Sequence, residues 1–218
     1  MDISQFILSK NKPFQMNDLT EKAQKFFNKN KRNHFPVTNE GVYMGCLPSE
    51  DIFTFDKNKK IGEFLYLFER FYVRDSTLWL DVLEAFAQNH TDVMPVLDAD
   101  NKYLGFYELD AIFNVLTDMP FIREIGGSLV VQTQVRDYSM SQIAQIVEGN
   151  NSKILGSLIS FSNDQIVQVT LKIVSANMNE IIQTFRRYNY EIISDHQDDS
   201  YIEKLSERSA YLEKYLSL

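Results

Sequence analysis

The chain has 218 residues, with 22 Lys and Arg against 30 Asp and Glu and a formal net charge of −8. That length allows one or two domains with sizeable cores, and the acidic balance disfavours nucleic acid and anionic membranes as partners. The basic runs 29–32 and 57–60 are short and diluted by Asn, and read as solvated helix ends or linkers.

No apolar run approaches the ~20 residues of a membrane span. The opening MDISQFILSK has an acidic second residue and no long apolar core, unlike a secretory signal. A single cysteine, Cys46, permits no intrachain disulfide and fits a cytoplasmic protein. Beside Leu47 in a predicted strand, it reads as a small core residue.

Residues 3–8 are apolar. Asp18 then offers an N-cap with Glu21 three positions on, a capping-box spacing, and Leu19, Ala23, Phe26 and Phe27 follow at helical spacing. Strands are predicted over 35–38 and 42–47 around an Asn39-Glu40-Gly41 turn, with a closing helix beginning over 50–55. After a polar run, residues 61–68 suit a helix. Asp75 or Ser76 is placed to cap the next one, whose apolar face is Leu78, Val82, Leu83 and Phe86. Trp79, near its start, is expected to be packed. Strands over 93–97 and 103–107 and a helix to about 116 follow, and Met119-Pro120 ends that helix.

These two stretches are copies of one unit. HFPVTNEGVYMGCLPSEDI at 34–52 stands opposite VMPVLDADNKYLGFYELDAI at 93–112. Pro36 and Val37 match Pro95 and Val96 at an offset of 59, whereas Gly45 and Ile52 match Gly105 and Ile112 at 60. The second copy therefore has one extra turn residue. Upstream, Leu19, Phe27 and Asn30 stand opposite Leu78, Phe86 and Asn89. The unit is α-β-β-α, with too long a period for a solenoid.

After Pro120 the pattern changes. A strand over 128–135 leads to a helix begun by Ser139 and Gln142, carrying Ile143, Ile146 and Val147 to a Gly149-Asn150 stop. A hairpin over 153–162 and 165–174 turns at Asn163-Asp164. A helix over 178–188 and a strand over 190–194 complete a β-α-β-β-α-β order, the ferredoxin-like split motif. Ser200 and Glu203 begin a last helix whose seam, Ile202, Leu205, Ser209, Leu212 and Leu216, calls for a partner surface. The expected fold class is α+β.

Little in the chain points to catalysis. There are 8 glycines and no phosphate loop, and no H-E-x-x-H, C-x-x-C or G-x-S-x-G motif. His34, His90 and His196 are far apart in sequence, and the acidic run 195–199 sits where Asp favours a helix start. Neither a catalytic nor a metal site is expected.

The arrangement h-P-V, acidic turn, G-h-h-x-x-x-D-[IL] resembles the cystathionine-β-synthase (CBS) domain, a module found in tandem pairs. The resemblance covers roughly residues 1–118. It implies a tandem module over 1–120, with repeats at about 1–58 and 59–120, and an adenine nucleotide (AMP, ADP or ATP) between them. Carried over residue by residue, the resemblance makes Asp51, six positions after Gly45, the acceptor of both ribose hydroxyls. It makes the strand His34, Phe35, Pro36 and Val37 the adenine wall. Pro48 stands where the family has a hydroxyl. In repeat two Ala111 and Glu108 replace the Asp and the hydroxyl, with Asp110 one position away. Glu108 is expected to repel a phosphate, so one nucleotide site is expected, in repeat one. The alternative for Asp51 is a helix N-terminal acid.

Residues 121–196, with DYSMSQIAQIVEGNNSKIL between the first two strands, resemble an ACT domain. That family commonly binds amino acids and pairs through its sheets. The loop Arg136-Asp137-Tyr138 lacks the Gly of its effector sites. Residues 197–218 are expected to form the terminal helix. The combination resembles bacterial CBS–ACT proteins associated with acetoin utilisation, without implying a reaction. The expected protein is a non-enzymatic, cytoplasmic, homodimeric regulator or sensor with a small-molecule effector. The alternative is a ligand-free interaction protein that uses both units for dimerisation.

Overall fold

The computed structural model describes residues 3–9, 12–175 and 177–193. The chain is α+β and divides into two units, Met1–Thr117 and Asp118–Leu218.

The first unit is built twice from one plan. β1 (Phe14–Gln15), α1 (Thr20–Asn30), β2 (His34–Asn39) and β3 (Val42–Pro48) give a sheet of order β1-β2-β3. β4 (Val73–Arg74), α2 (Trp79–Gln88), β5 (Val93–Leu97) and β6 (Tyr103–Glu108) give the order β4-β5-β6. In each, the short first strand lies parallel to the central one, as a helical crossover requires. Each hairpin shifts register at the residue after Pro-Val, between Val37 and Thr38 and between Val96 and Leu97. α3 (Leu109–Thr117) closes the second repeat.

Each repeat's leading segment is lent to the other repeat. Leu8 N donates to Phe106 O at 2.8 Å and Phe106 N to Leu8 O at 3.3 Å. Cys46 and Glu69 make the same reciprocal pair at 2.8 and 2.9 Å. Such an approach needs the motif glycines. Gly45 and Gly105 have φ of +141° and +152°, and a Cβ on Gly105 would lie 2.7 Å from Leu8 O. The core is shared too. Phe14, Phe27, Phe35, Val37, Leu47 and Ile52 pack with Val93 and Phe106 of the second repeat. A two-residue strand carries too little pattern to be read in advance, and neither β1 nor β4 was expected.

Three expected helix starts differ. α1 and α2 have Leu19 and Leu78 at their N-caps, with no side-chain cap. Asp18 instead accepts from Gln15 N at 2.8 Å and from Lys22 Nζ at 2.6 Å. Neither Asp75 nor Ser76 caps α2; in the turn before it, Thr77 Oγ1 accepts from Arg74 N at 3.0 Å. The closing helix expected over 50–55 is a three-residue 3-10 turn, Ile52–Thr54. Gln24 Nε2 holds the carbonyls of Ile52 and Phe55 at 2.8 and 3.0 Å, acceptors a longer helix would use internally.

The second unit begins with α4 (Pro120–Arg123), then β7 (Gly127–Gln134), α5 (Met140–Gly149), β8 (Lys153–Ser162), β9 (Ile166–Val174), α6 (Met178–Arg187) and β10 (Glu191–Ile192). The antiparallel order β10-β7-β9-β8 is that of a split β-α-β unit. Alternating residues Leu129, Val131, Val167, Val169, Leu171 and Ile173 face Ile143, Ile146, Val147, Ile181, Ile182 and Phe185. Ser139 Oγ accepts from Gln142 N as expected of an N-cap. Gln142 Oε1 instead takes the Tyr190 hydroxyl at 2.9 Å rather than completing the box. The terminal helix, with Ser200, Glu203 and its apolar seam, lies outside the described residues.

Candidate functional site

The repeats meet where β2 and β5 begin. Asn33 and Asp92 are equivalent positions, and they bind each other. Asn33 N donates to Asp92 Oδ1 at 3.2 Å, and Asp92 N donates to Asn33 Oδ1 at 3.1 Å. Asn33 Nδ2 also reaches His90 O at 2.7 Å. The strand ends that follow are tied to the same place. Ser49 N donates to Asn33 O at 2.8 Å, and Leu109 N to Asp92 O at 3.1 Å.

That tie positions Asp51. His34 lies opposite Pro48 across the hairpin, so Asp51 sits three residues beyond the pair, on an exposed turn. Asp51 occupies the N-cap position of the 3-10 turn, yet its side chain makes no capping hydrogen bond. Its main-chain carbonyl accepts from Thr54 N and Oγ1 at 3.0 and 2.7 Å. Asp110 is exposed in the first turn of α3.

The strand meant as an adenine wall divides. His34, Phe35, Pro36 and Val37 are all buried, and Phe35 and Val37 are committed to the shared core. Phe35 lies against Phe14, Phe26 and Phe106, at ring separations of 5.1, 4.1 and 5.5 Å. His34 and Pro36 alternate to the other face, with Cys46 opposite Pro36. His34 Nε2 lies 3.3 Å from Glu69 Oε1, its ring stands edge-on to Phe71, and Nδ1 is buried without a hydrogen-bond partner. Strand alternation, applied from Pro36, would have separated these faces.

Glu108 is placed differently from its expected role as a bare repulsive acid. Arg32 reaches across from repeat one, with Nη2 on Glu108 Oε1 and Nη1 on Asp92 Oδ2, the latter at 3.0 Å. Burial opposes the charge on Arg32, but the hydrogen bond to Asp92 and the field of Glu108 outweigh it and raise its pKa. Arg32 belongs to the basic run read as solvated; nothing in sequence spacing pairs residues 60 and 76 positions apart.

Cys46 is fully buried, and burial drives its thiol pKa well above the ordinary range. It is packed as a small apolar residue and held as a thiol. Beside it, Tyr43 hydrogen-bonds Phe71 O at 2.7 Å, and its ring stacks with its repeat-two equivalent, Tyr103, at 6.3 Å. Burial raises both phenols. Among the described residues no group of three or more His, Cys, Asp and Glu is arranged to hold a metal, and no helix is long and apolar enough to cross a membrane.

In the second unit, a polar cleft of about 750 Å³ is lined by Gln132, Thr133, Gln134, Arg136, Gln142 and Asn189, among others. It borders the 3-10 turn Val135–Asp137, where the Arg136-Asp137-Tyr138 loop begins.

No family model matches the chain. No curated protein matches it either. Among solved structures, the chain is similar to a CBS domain pair/ACT domain protein from Thermotoga maritima. The identity is 15% and the TM-score 0.49, over 54% of this chain and 98% of that one. It is similar to the CBS domains of a transcriptional regulator from Streptococcus pneumoniae, at 18% identity and TM-score 0.44, over 52% and 98% of the two chains. CBSX2 in complex with AMP matches at 18% identity and TM-score 0.44, over 53% of this chain and 95% of that one.

Proposed function

We propose that the first unit is a tandem CBS module and the protein a non-enzymatic regulator, with one adenine-nucleotide site at repeat one. The observation that carries this reading is Asp51. Asp51 is exposed and its carboxylate uncommitted to a cap, on a turn that follows the His34–Pro48 pair and the main-chain bond from Ser49 to Asn33. A carboxylate there can accept from two ribose hydroxyls and has no donor to compete. With Phe35 and Val37 in the core, the strand offers a base its backbone and the His34–Pro36 face. Repeat two has Ala111 at the equivalent of Asp51, and its Glu108 is already paired.

Calorimetry with AMP, ADP and ATP tests this. One site per chain is expected, and replacement of Asp51 should remove most of the affinity. Two equivalent sites, or heat from none of the three nucleotides, would end the reading.

The second unit is read as an ACT-like domain, with the polar cleft as its small-molecule position; an amino acid is the ligand class to titrate there. We propose a homodimer as well. β8 is a ten-residue edge strand with Leu158, Ile159 and Phe161 exposed and no charge after Lys153, an edge suited to pairing with its own copy. Light scattering that gives the mass of a single chain would remove this part.

A further inference from the structure

We infer that Arg32 reads the phosphate of the bound nucleotide, and that a phosphate takes it from Glu108. This rests on the nucleotide reading above and adds the residue that recognises the charged end of the ligand.

Arg32 is tied to the Asp51 turn through the main chain. Asn33, its chain neighbour, holds Ser49 by a main-chain hydrogen bond of 2.8 Å, two residues before Asp51. The carboxylate placed to hold a ribose and the guanidinium are therefore carried by segments, before β2 and after β3, that a main-chain hydrogen bond joins. The Arg32 side chain is 22% exposed, so it is reachable from solvent without unfolding the repeat. A guanidinium presents a planar fork that fits phosphate as well as carboxylate.

Its two carboxylates are not equally bound. Asp92 is held independently of Arg32, because its Oδ1 accepts from Asn33 N at 3.2 Å. Glu108 has Arg32 on one oxygen and stands directly before α3, whose N-terminal dipole favours a carboxylate. Glu108 is thus the partner that can give up the cation at least cost. The exchange frees one arm of Arg32 for phosphate, leaves the other on Asp92, and releases the contact between repeat one and the start of α3. Ligand in repeat one is thereby reported to repeat two.

The test compares adenosine with AMP by calorimetry on the full chain and on Arg32→Gln and Glu108→Gln. Arg32→Gln should weaken AMP about tenfold or more, the scale of one hydrogen bond to a charged group, and leave adenosine within about twofold. Glu108→Gln removes the competitor and should tighten AMP about threefold or more by the same reasoning, again without moving adenosine. A purely structural Arg32 gives a different pattern: AMP and adenosine weaken together in Arg32→Gln, and AMP weakens or stays unchanged in Glu108→Gln. Either result overturns the assignment. Should Arg32→Gln not fold, Glu108→Gln decides alone, since it keeps Arg32 on Asp92. If the wild type binds AMP and these ratios do not move, only the Arg32 assignment falls; if it binds neither compound, the nucleotide reading falls with it.

Discussion

Repeat one and repeat two share their strands, bulges, swapped leading segments and motif glycines, and part company after the second hairpin strand. Repeat two runs into the nine-residue α3, which buries Ile112 and Val115. Repeat one makes a three-residue 3-10 turn, and only its Ile52 is buried. Local chemistry accounts for the difference. Leu109-Asp110-Ala111-Ile112 propagates a helix, whereas Thr54 and Phe55 lose rotamer freedom in one, and Gln24 occupies the carbonyls of Ile52 and Phe55. Charge diverges as well. Residues 1–58 carry seven Asp and Glu against eight Lys and Arg, and residues 59–117 carry ten against five. An anion is therefore better tolerated on the side of repeat one. A duplicated unit has kept its frame and specialised its ends.

The largest expected effect tests whether the shared core is evenly divided. Phe35 and Met94 are equivalent and both fully buried, but Phe35 touches three other rings across the two repeats. Phe35→Ala should cost about 4 kcal/mol and Met94→Ala about 3, within the range for such truncations. Urea unfolding checks this. Equal or reversed costs would mean that the core is not centred on repeat one.

Next comes the swap itself. In Gly105→Ala the new methyl would press on Leu8 O and the Ile7 side chain, each at 2.7 Å, in a backbone region that L residues avoid. In Gly45→Ala the nearest atoms are Phe68 Cβ at 2.9 Å and Glu69 O at 3.1 Å. Both should destabilise, by about 3 kcal/mol at Gly105 and about 2 at Gly45. A neutral Gly105→Ala would show that residues 7–8 are not held against β6.

Much of this frame was legible because duplication doubles the signal. The offsets of 59 and 60 located both hairpins, the extra turn residue, and the Gly that the swap needs. β1, β4 and the exchange of leading segments were not legible. Two-residue strands have no periodicity, and an exchange leaves no mark on either segment's own pattern. The candidate site was legible as positions rather than as geometry. Asp51 could be found by counting from Gly45. That Phe35 and Val37 face the core, and that Arg32 pairs with Glu108, depends on contacts between residues far apart in the chain.

A smaller effect bears on the two carboxylates. Asp51→Ala should weaken AMP by about 1.5–3 kcal/mol, the range for hydrogen bonds to a charged group. Its effect on unfolding should be within about 0.5 kcal/mol, because the side chain is an exposed one without a capping bond. Asp110→Ala should leave AMP unchanged. If calorimetry finds the sensitivities exchanged, the ligand belongs to repeat two.

The smallest effect concerns the turns that open the repeats. In repeat two the 3-10 segment Ile61–Leu67 begins at Lys60, whose N–H donates to Glu63 Oε1 at 3.0 Å, while Lys59 Nζ reaches Oε2 at 3.0 Å. The hydrogen bond from the Lys60 main chain, and then that from Lys59, hold the Glu63 pKa below its ordinary value. In repeat one the turn Ser4–Phe6 has no acid in its first turn and no side-chain cap. A carboxylate lowered by folding stabilises the native state above its unfolded pKa, and that support is lost as pH falls through the lower folded value. Acidification through this window should loosen the opening of repeat two and leave that of repeat one unchanged. NMR titration of the Glu63 side chain should give a midpoint below that of an unstructured Glu, and Lys59→Ala should bring back only part of the shift, since the main-chain donor remains. A midpoint at the unstructured value would show that the cap at Lys60 is not formed in solution, and the two turns would then be alike.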